Sequence, residues 1–227
     1  MTTALPLLLA SASPRRRQLL SLLGLSYSLC VSPIDEDATQ ERYRGPSDGL
    51  ALWLAEHKAL GALSLAEAAN HIVITADTTV LLHGEVLGKP RDTAQARELL
   101  LSLRGRWHHV VTGVAVSRMM KGEPEVYSAS CRTPVLMRPF SEKFIAAYIA
   151  TGDPLDKAGA YGIQHPDFQL TERINGCYLN VVGLPICTLV DLLAKFDVQP
   201  AEEGRKGAGC RWSARCKVYD REGIAAL

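Results

Sequence analysis

The alternation of strand-like and helix-like segments along the chain constrains its fold more than any other feature. Short apolar or β-branched runs are followed repeatedly by segments that carry apolar residues at helical spacing. This order is typical of α/β proteins, in which helices cover a sheet. Strands are predicted at Leu7–Ala10, His71–Leu82, Glu85–Leu87, Val110–Ser117, Tyr127–Met137 and Tyr178–Val182. The strand His71–Leu82 is expected to be interrupted at Asp77–Thr79.

Capping residues mark the predicted helices. Ser13 at the N-cap, Pro14 at the first helical position and Gly24 beyond the end define the first helix. Further helices are predicted to begin at Ser47, Asp92, Ser141 and Pro185. The polar segment between residues 32 and 46 is predicted to be a loop. Residues 1–198 are expected to form one domain, and the polar residues 199–227 a flexible tail.

Charge and motif content exclude several function classes. Lys and Arg total 25 against 24 Asp and Glu, so the chain lacks the basic footprint of a nucleic-acid-binding protein. The apolar run before Ser11 is too short to span a membrane, and arginines follow it rather than precede it as in a secretory signal. A cytoplasmic location is therefore expected. No GxSxG or P-loop motif is present, which favours an activated water as the nucleophile.

A first candidate site is the segment SASPRR at residues 11–16. A strand that leads into a helix N-terminus presents free N–H groups and the positive end of the helix dipole. Serine hydroxyls and the guanidinium groups of Arg15 and Arg16 at that point suit phosphate oxygens. Arginines early in a helix oppose the dipole, and this conflict favours a function. A capped helix with solvated arginines is an equally weighted alternative.

A second candidate site is the segment ADTT at residues 76–79, with Lys89 following. An acidic residue at the end of an apolar strand is unfavourable to bury unless it is paired or binds a metal, and sheet ends are where α/β proteins place ligands. Asp77 could hold a divalent ion or accept a proton from water, and Asp35 or Glu36 could supply a second carboxylate. An Asp that makes only a local turn is the ordinary alternative.

A third candidate site is the glycine-rich segment DKAGAYGIQ at residues 156–164. Glycines at 159 and 162 let the backbone approach a ligand closely. The amide of Gln164 offers both a donor and an acceptor to the edge of a base. A plain surface loop is the alternative.

Together these segments resemble the Maf family of nucleoside triphosphate pyrophosphatases. The acidic stretch at 35–37, AEHKA at 55–59, GEVLGKPRD at 84–92, HHVVTGV at 108–114 and VVGLP at 181–185 extend the resemblance from Leu7 to Phe196. It implies a mixed, twisted sheet with flanking helices and two lobes around a deep cleft. It also implies a cut between the α- and β-phosphates that depends on a divalent cation, Mg²⁺ or Mn²⁺, and a homodimer.

The resemblance also implies roles for individual residues. Asp77 takes the place of the catalytic acidic residue and Glu36 that of its partner carboxylate, and both would bind the metal. Substrate contacts are expected from Ser13, Arg15, Arg16, Lys58, Thr78, Lys89 and Gln164. The combination of Arg15, Lys58, Thr78 and Gln164 resembles the branch that hydrolyses dTTP and UTP.

One residue departs from the family pattern, and one rival function stays open. His165 follows Gln164 where the family usually has glycine, which bears on the base pocket. The rival is a non-catalytic, nucleotide-binding regulator of septum formation. The presence of both Asp77 and Glu36 favours the enzyme, because a pure binder gains little from negative charge beside a triphosphate.

Overall fold

A computed structural model describes residues 5–200 of the chain. The strands are β1 (Leu7–Ala10), β2 (Tyr27–Cys30), β3 (Ile72–Leu82), β4 (Glu85–Leu87), β5 (Trp107–Met120), β6 (Glu123–Met137) and β7 (Thr171–Ile174). The helices are α1 (Pro14–Ser21), α2 (Glu36–Glu41), α3 (Leu50–Leu63), α4 (Thr93–Leu103), α5 (Glu142–Ile149), α6 (Tyr178–Val182) and α7 (Ile186–Leu193).

The seven strands form one sheet in the order β2-β1-β3-β5-β6-β7, with β4 paired to β3. β1 is parallel to both neighbours and the other pairs are antiparallel. The predicted α/β class with a mixed sheet and flanking helices is confirmed.

The helices divide unequally between the two faces of the sheet. Successive residues of a strand point to opposite faces, so β3 serves both. On one face α3 packs through alanines, Ala51 against Leu81 and Ala55 against Ala115. The other face carries two larger apolar cores, one built with α1 and α7 and one built with α4 and α5. The long strands β3 and β5 contribute to both cores. Asp77 and Thr78 lie on β3 between the residues that enter these cores, and their side chains point to opposite faces of the sheet. Two lobes around a deep cleft stay a prediction.

Pairing along one edge of β3 is broken in the middle. β1 pairs with Ile72–Ile74, and β4 pairs with Val80–Leu82. The opposite edge pairs with β5 without a break from Val73 to Leu81. Within residues 5–200, the segment 75–79 therefore has no strand partner on the first edge. Asp77 and Thr78 lie in this gap, so the predicted interruption of the strand at these residues is wrong: β3 is continuous and its neighbours are interrupted.

Close approach of α3 to the sheet depends on Gly113. This residue pairs with Asp77 across β3 and β5. A Cβ atom at Gly113 would lie 2.4 Å from the carbonyl oxygen of Ala51 and 2.5 Å from the Cα of Leu52. Only glycine lets the backbone of α3 pass at this distance, directly beside Asp77.

The segment Tyr178–Val182 was predicted as a strand and is the helix α6. Its apolar, β-branched sequence suits a strand, but tertiary contacts decide otherwise. The thiol of Cys177 accepts the backbone N–H of Asn180 as a helix cap, at 3.4 Å. The buried amide of Asn180 donates to the carbonyl of Val110 and to the hydroxyl of Thr133, at 3.0 and 2.9 Å.

The loop predicted over residues 32–46 contains the helix α2. Asp35 caps it by accepting the N–H of Ala38 at 3.0 Å, and Glu36 and Asp37 occupy its first turn. An acidic first turn favours a helix, so the polar composition of this segment is compatible with a helix as well as with a loop. The short edge strands β2 and β7 were not predicted at all. Residues 201–227, which hold most of the predicted tail with Cys210 and Cys216, lie outside the described residues. Between residues 5 and 200, none of the helices has the length and apolar character needed to cross a membrane.

Candidate functional site

A buried lysine joins the two predicted catalytic carboxylates. Asp77 is 8% exposed and Lys58 on α3 is 6% exposed. The Nζ atom of Lys58 lies 2.6 Å from Oδ1 of Asp77 and 2.9 Å from Oε2 of Glu36. Burying a charge is unfavourable unless it is paired, and here one ammonium group serves two carboxylates. The local-turn alternative for Asp77 is therefore wrong.

Contacts along α3 bring Lys58 to this position. The hydroxyl of Thr75 donates to the carbonyl of Ala55 at 2.7 Å, which fixes the middle of α3 to β3. The hydroxyl of Ser32 donates to the carbonyl of Lys58 at 2.9 Å, which ties the segment before α2 to the same helix. Glu36 is the first residue of α2 and reaches Lys58 from there.

Other positive charges of the candidate site act on Glu36. Partial burial raises the pKa of Glu36, but the charges of Lys58, Lys89 and Arg16 oppose this and hold the pKa below its ordinary value. Burial lowers the pKa of Arg16, and the carboxylates of Asp77 and Glu36 act against that shift. These mutual influences show that the phosphate-binding candidates and the carboxylates form one electrostatic unit.

The donor set suits a divalent cation that substrate helps to coordinate. Asp77 and Glu36 both direct a carboxylate oxygen, a hard ligand, at one positive group. In this structure that group is the ammonium of Lys58. In the part of the chain that the structure describes, no group of three or more His, Cys, Asp or Glu is placed to hold a metal. Mg²⁺ is commonly held by one or two carboxylates together with substrate phosphates and water, which this pair fits.

The N-terminus of α1 is built as predicted. Ser13 caps the helix, and its hydroxyl accepts the N–H of Arg16 at 3.5 Å. The hydroxyl of Ser11 in turn accepts the N–H of Ser13 at 3.2 Å. Arg15 and Arg16 lie in the first turn, and Nη1 of Arg15 is 3.7 Å from the exposed carboxylate of Asp156. The hydroxyl of Ser13 is thus engaged in capping, while Arg15 has only a weak partner.

Arg16 is held more firmly than Arg15. Its Nε donates to the carbonyl of Gly183 at 2.9 Å, and its Nη2 donates to the hydroxyl of Thr78 at 3.1 Å. Thr78 also shares a hydrogen bond of 2.9 Å with the hydroxyl of Thr112, which donates to the carbonyl of Asn180 at 3.0 Å. Arg16 therefore connects α1, β3 and the turn after α6. The alternative of two solvated arginines is wrong for Arg16.

The glycine-rich segment packs against both other candidate sites. The N–H of Gly159 donates to the carbonyl of Gly88 at 3.0 Å, beside the exposed Lys89. A Cβ at Gly159 would lie 3.0 Å from Val80 of β3, and the φ angle of +68° also favours glycine there. Together with the Arg15–Asp156 contact, this brings the three candidate segments into one region at the gap in β3.

Gln164 lies in the turn that ends this segment and is half-buried. Among residues 5–200, its side-chain amide makes no hydrogen bond to the protein. Within the described part of the chain, the amide is therefore not used to satisfy its own loop.

Known proteins are similar to this chain over most of its length. The sequence model of the family described as Maf-like protein matches residues 6–196. The chain belongs to the Maf family. A dTTP/UTP pyrophosphatase of Moorella thermoacetica is 48% identical over 193 residues, which cover 85% of this chain and 95% of that protein. The dTTP/UTP pyrophosphatase of Dictyoglomus turgidum is 42% identical, over 84% of this chain and 95% of that protein. That of Thermomicrobium roseum is 44% identical, over 87% of this chain and 88% of that protein.

Several residues that support the site of this Maf protein had no predicted role. Thr112, Gly183 and Asn180 form the contacts of Thr78 and Arg16 described above. Thr112 and Gly183 lie within segments quoted for the resemblance, which was the available signal. His108 of β5 and Tyr161 of the glycine-rich segment form a further buried pair, with 2.6 Å between Nε2 and the phenol oxygen. The sequence offered no indication that these two residues meet.

His108 is expected to make the protein less stable in acid. Burial lowers the pKa of His108 from 6.5 to about 4. As the pH falls through this range, the unfolded chain takes up a proton that the folded protein does not, so the free energy of unfolding decreases. The difference between the two pKa values corresponds to a loss of about 3 kcal/mol in the free energy of unfolding. Replacing His108 with Gln should therefore flatten the decline between pH 6.5 and 4, as measured by urea unfolding. His83→Asn, at an exposed turn, is the matched control, and parallel curves for wild type and His108→Gln would contradict the expectation.

Proposed function

We propose that this protein hydrolyses dTTP and UTP to the nucleoside monophosphate and pyrophosphate. The observation that carries the proposal is the pair of carboxylates, Asp77 and Glu36, held on Lys58 beside the arginines of α1. Relatives that cover most of the chain are named dTTP/UTP pyrophosphatases, which supports the same activity.

Positive groups around the gap in β3 bind the triphosphate. Lys89 is exposed, Arg15 has only the contact with Asp156 within the described residues, and Arg16 is fixed by Gly183 and Thr78. Charge-assisted hydrogen bonds to phosphate are strong, and these groups also stabilise the charge that develops on the leaving pyrophosphate. Thr78 positions Arg16 through its hydroxyl.

Asp77 activates the attacking water by accepting its proton. Lys58 orients the carboxylate of Asp77 before substrate arrives, through a hydrogen bond of 2.6 Å. Asp77 and Glu36 would together hold a divalent cation, Mg²⁺ or Mn²⁺. When bound, such a cation neutralises phosphate charge and lowers the pKa of water. The proton leaves the water as its oxygen bonds to the α-phosphorus and the bond to pyrophosphate breaks.

Base selectivity is assigned to Gln164. Thymine and uracil both present an acceptor at O4 and a donor at N3, which one amide can meet. Cytosine inverts this pattern, so a Gln164 amide that is held in one orientation would leave polar groups unpaired with it, at a cost of about 1–3 kcal/mol. We expect similar kcat/KM values for dTTP and UTP, and values at least about tenfold lower for CTP and the purine triphosphates. Gln164→Glu should reduce the preference for UTP over CTP. Equal values for CTP and UTP in the wild type would contradict this assignment.

Pyrophosphate release from a panel of nucleoside triphosphates tests the proposal. The protein is freed of metal with EDTA and then assayed with Mg²⁺ or Mn²⁺ restored. Tight nucleotide binding without pyrophosphate release would instead support the non-catalytic regulator of septum formation. We further propose a cytoplasmic location, where nucleotide pools are found, and a homodimer that binds no nucleic acid.

A further inference from the structure

His165 organises the turn that follows Gln164. Its Nδ1 atom lies 3.2 Å from the backbone nitrogen of Asp167 and 3.3 Å from that of Phe168. Both nitrogens donate, so Nδ1 accepts two hydrogen bonds through its lone pair and the ring proton sits on Nε2. Asn and Asp commonly hold a turn in this way through a side-chain oxygen. Here an imidazole performs the same task.

The imidazole ring also packs against two aromatic side chains. Its centroid lies 5.6 Å from that of Tyr148, at an interplanar angle of 84°, and 5.0 Å from that of Phe168, at 82°. Tyr148 and Phe168 contact each other at 5.4 Å. Edge-to-face contacts of this kind are favourable. They fix the orientation of the His165 ring against Tyr148 of α5 and against Phe168.

Tyr148 also contacts the backbone on the N-terminal side of Gln164. Its hydroxyl donates to Oδ2 of Asp153 at 2.5 Å and accepts the N–H of Gly162 at 2.9 Å. Gly162 precedes Gln164 by two residues and His165 follows it directly. The backbone on both sides of Gln164 is therefore tied to one aromatic cluster.

We propose that His165 is a positioning residue that fixes Gln164 for contact with the base and so sets the discrimination between uracil and cytosine. The inference rests on the proposed function, in which Gln164 reads the base. A glycine at position 165 would offer neither the acceptor nor the ring. The contacts with Asp167, Phe168 and Tyr148 carry the argument.

Two substitutions separate the acceptor from the ring. His165→Phe keeps an aromatic ring against Tyr148 and Phe168 but removes the acceptor. His165→Asn removes the ring but keeps an oxygen that can accept the same two backbone N–H groups. We expect His165→Phe to lower the ratio of kcat/KM for UTP to that for CTP by about fivefold to tenfold, as for one mismatched polar contact. His165→Asn should restore most of that ratio.

A purely structural role would reduce activity on both nucleotides and leave their ratio unchanged. Asp167→Asn, an exposed change in the same turn, is the matched control and should behave as wild type. Thermal unfolding confirms that each variant is folded. An unchanged ratio in an active His165→Phe protein, or an equal loss in the Phe and Asn variants, would overturn this inference alone. If the wild type hydrolysed no pyrimidine nucleoside triphosphate, the proposed function would fall first and this inference with it.

Discussion

Replacing Asp77 with asparagine is expected to lower kcat/KM for dTTP by roughly 10²–10⁴-fold while the protein stays folded. Asparagine keeps the shape of the side chain but has no negative charge, so it neither accepts a proton from water nor binds a cation strongly. Its amide oxygen can still accept a hydrogen bond from Lys58, and Glu36 remains 2.9 Å away as the ionic partner of that lysine. Steady-state release of pyrophosphate with thermal unfolding of the same sample gives the result.

Asp37→Asn is the matched control for this experiment. Asp37 is an exposed residue of α2, next to Glu36 in sequence. The same charge is removed there without altering the ion pairs of Lys58, and near-wild-type turnover is expected. Normal turnover in a folded Asp77→Asn protein would refute the role assigned to Asp77.

Gly113→Ala is expected to destabilise the protein by about 3 kcal/mol and to reduce turnover in the fraction that folds. The added methyl group would meet the backbone of α3 at 2.4 Å from the carbonyl oxygen of Ala51. Ala51 and Leu52 belong to the first turn of α3, and backbone atoms cannot move aside as the end of a long side chain can, so the start of α3 must shift. Lys58 lies on the same helix, and its distance to Asp77 would change with it. Urea unfolding and kcat measure the two effects.

Gly88→Ala serves as the control for stability. A Cβ at Gly88 would have no atom within 4 Å, so little change in the free energy of unfolding is expected there. If Gly113→Ala were as stable as Gly88→Ala, the close approach of α3 to β5 would not be a constraint on the fold.

The parts of the fold that depend on local chemistry could be predicted from the sequence. Ser13, Asp92 and Ser141 were predicted as helix caps, and each accepts a backbone N–H in its helix's first turn. The segment Tyr178–Val182 was not predictable in this way, because Asn180 takes its partners from β5 and β6. The continuity of β3 through Asp77 was missed for a similar reason, since the charge is compensated by a lysine 19 residues away.

For the candidate site, the sequence predicts a set of residues but not the contacts among them. Asp77, Glu36 and Lys58 were assigned through the resemblance, with Lys58 as a substrate-binding residue. The structure makes Lys58 the counterion of both carboxylates. No spacing in the sequence indicates which of several lysines fills this role. Which lysine becomes the counterion depends on how closely α3 crosses the sheet.

The break in pairing along β3 also bears on self-association. A strand with unpaired N–H and C=O groups invites addition of a strand from another molecule, which is a common route to aggregation. Here β1 and β4 close the break at both ends, and only residues 75–79 lie between them. An intruding strand would have room for about five residues, near the lower end of useful strand lengths. It would also have to pass the arginines of α1 and the acidic pair at its centre. Residues 75–77 and 79 are themselves buried, so the pairing of an inner strand is interrupted here without presenting a free edge to which another chain could add.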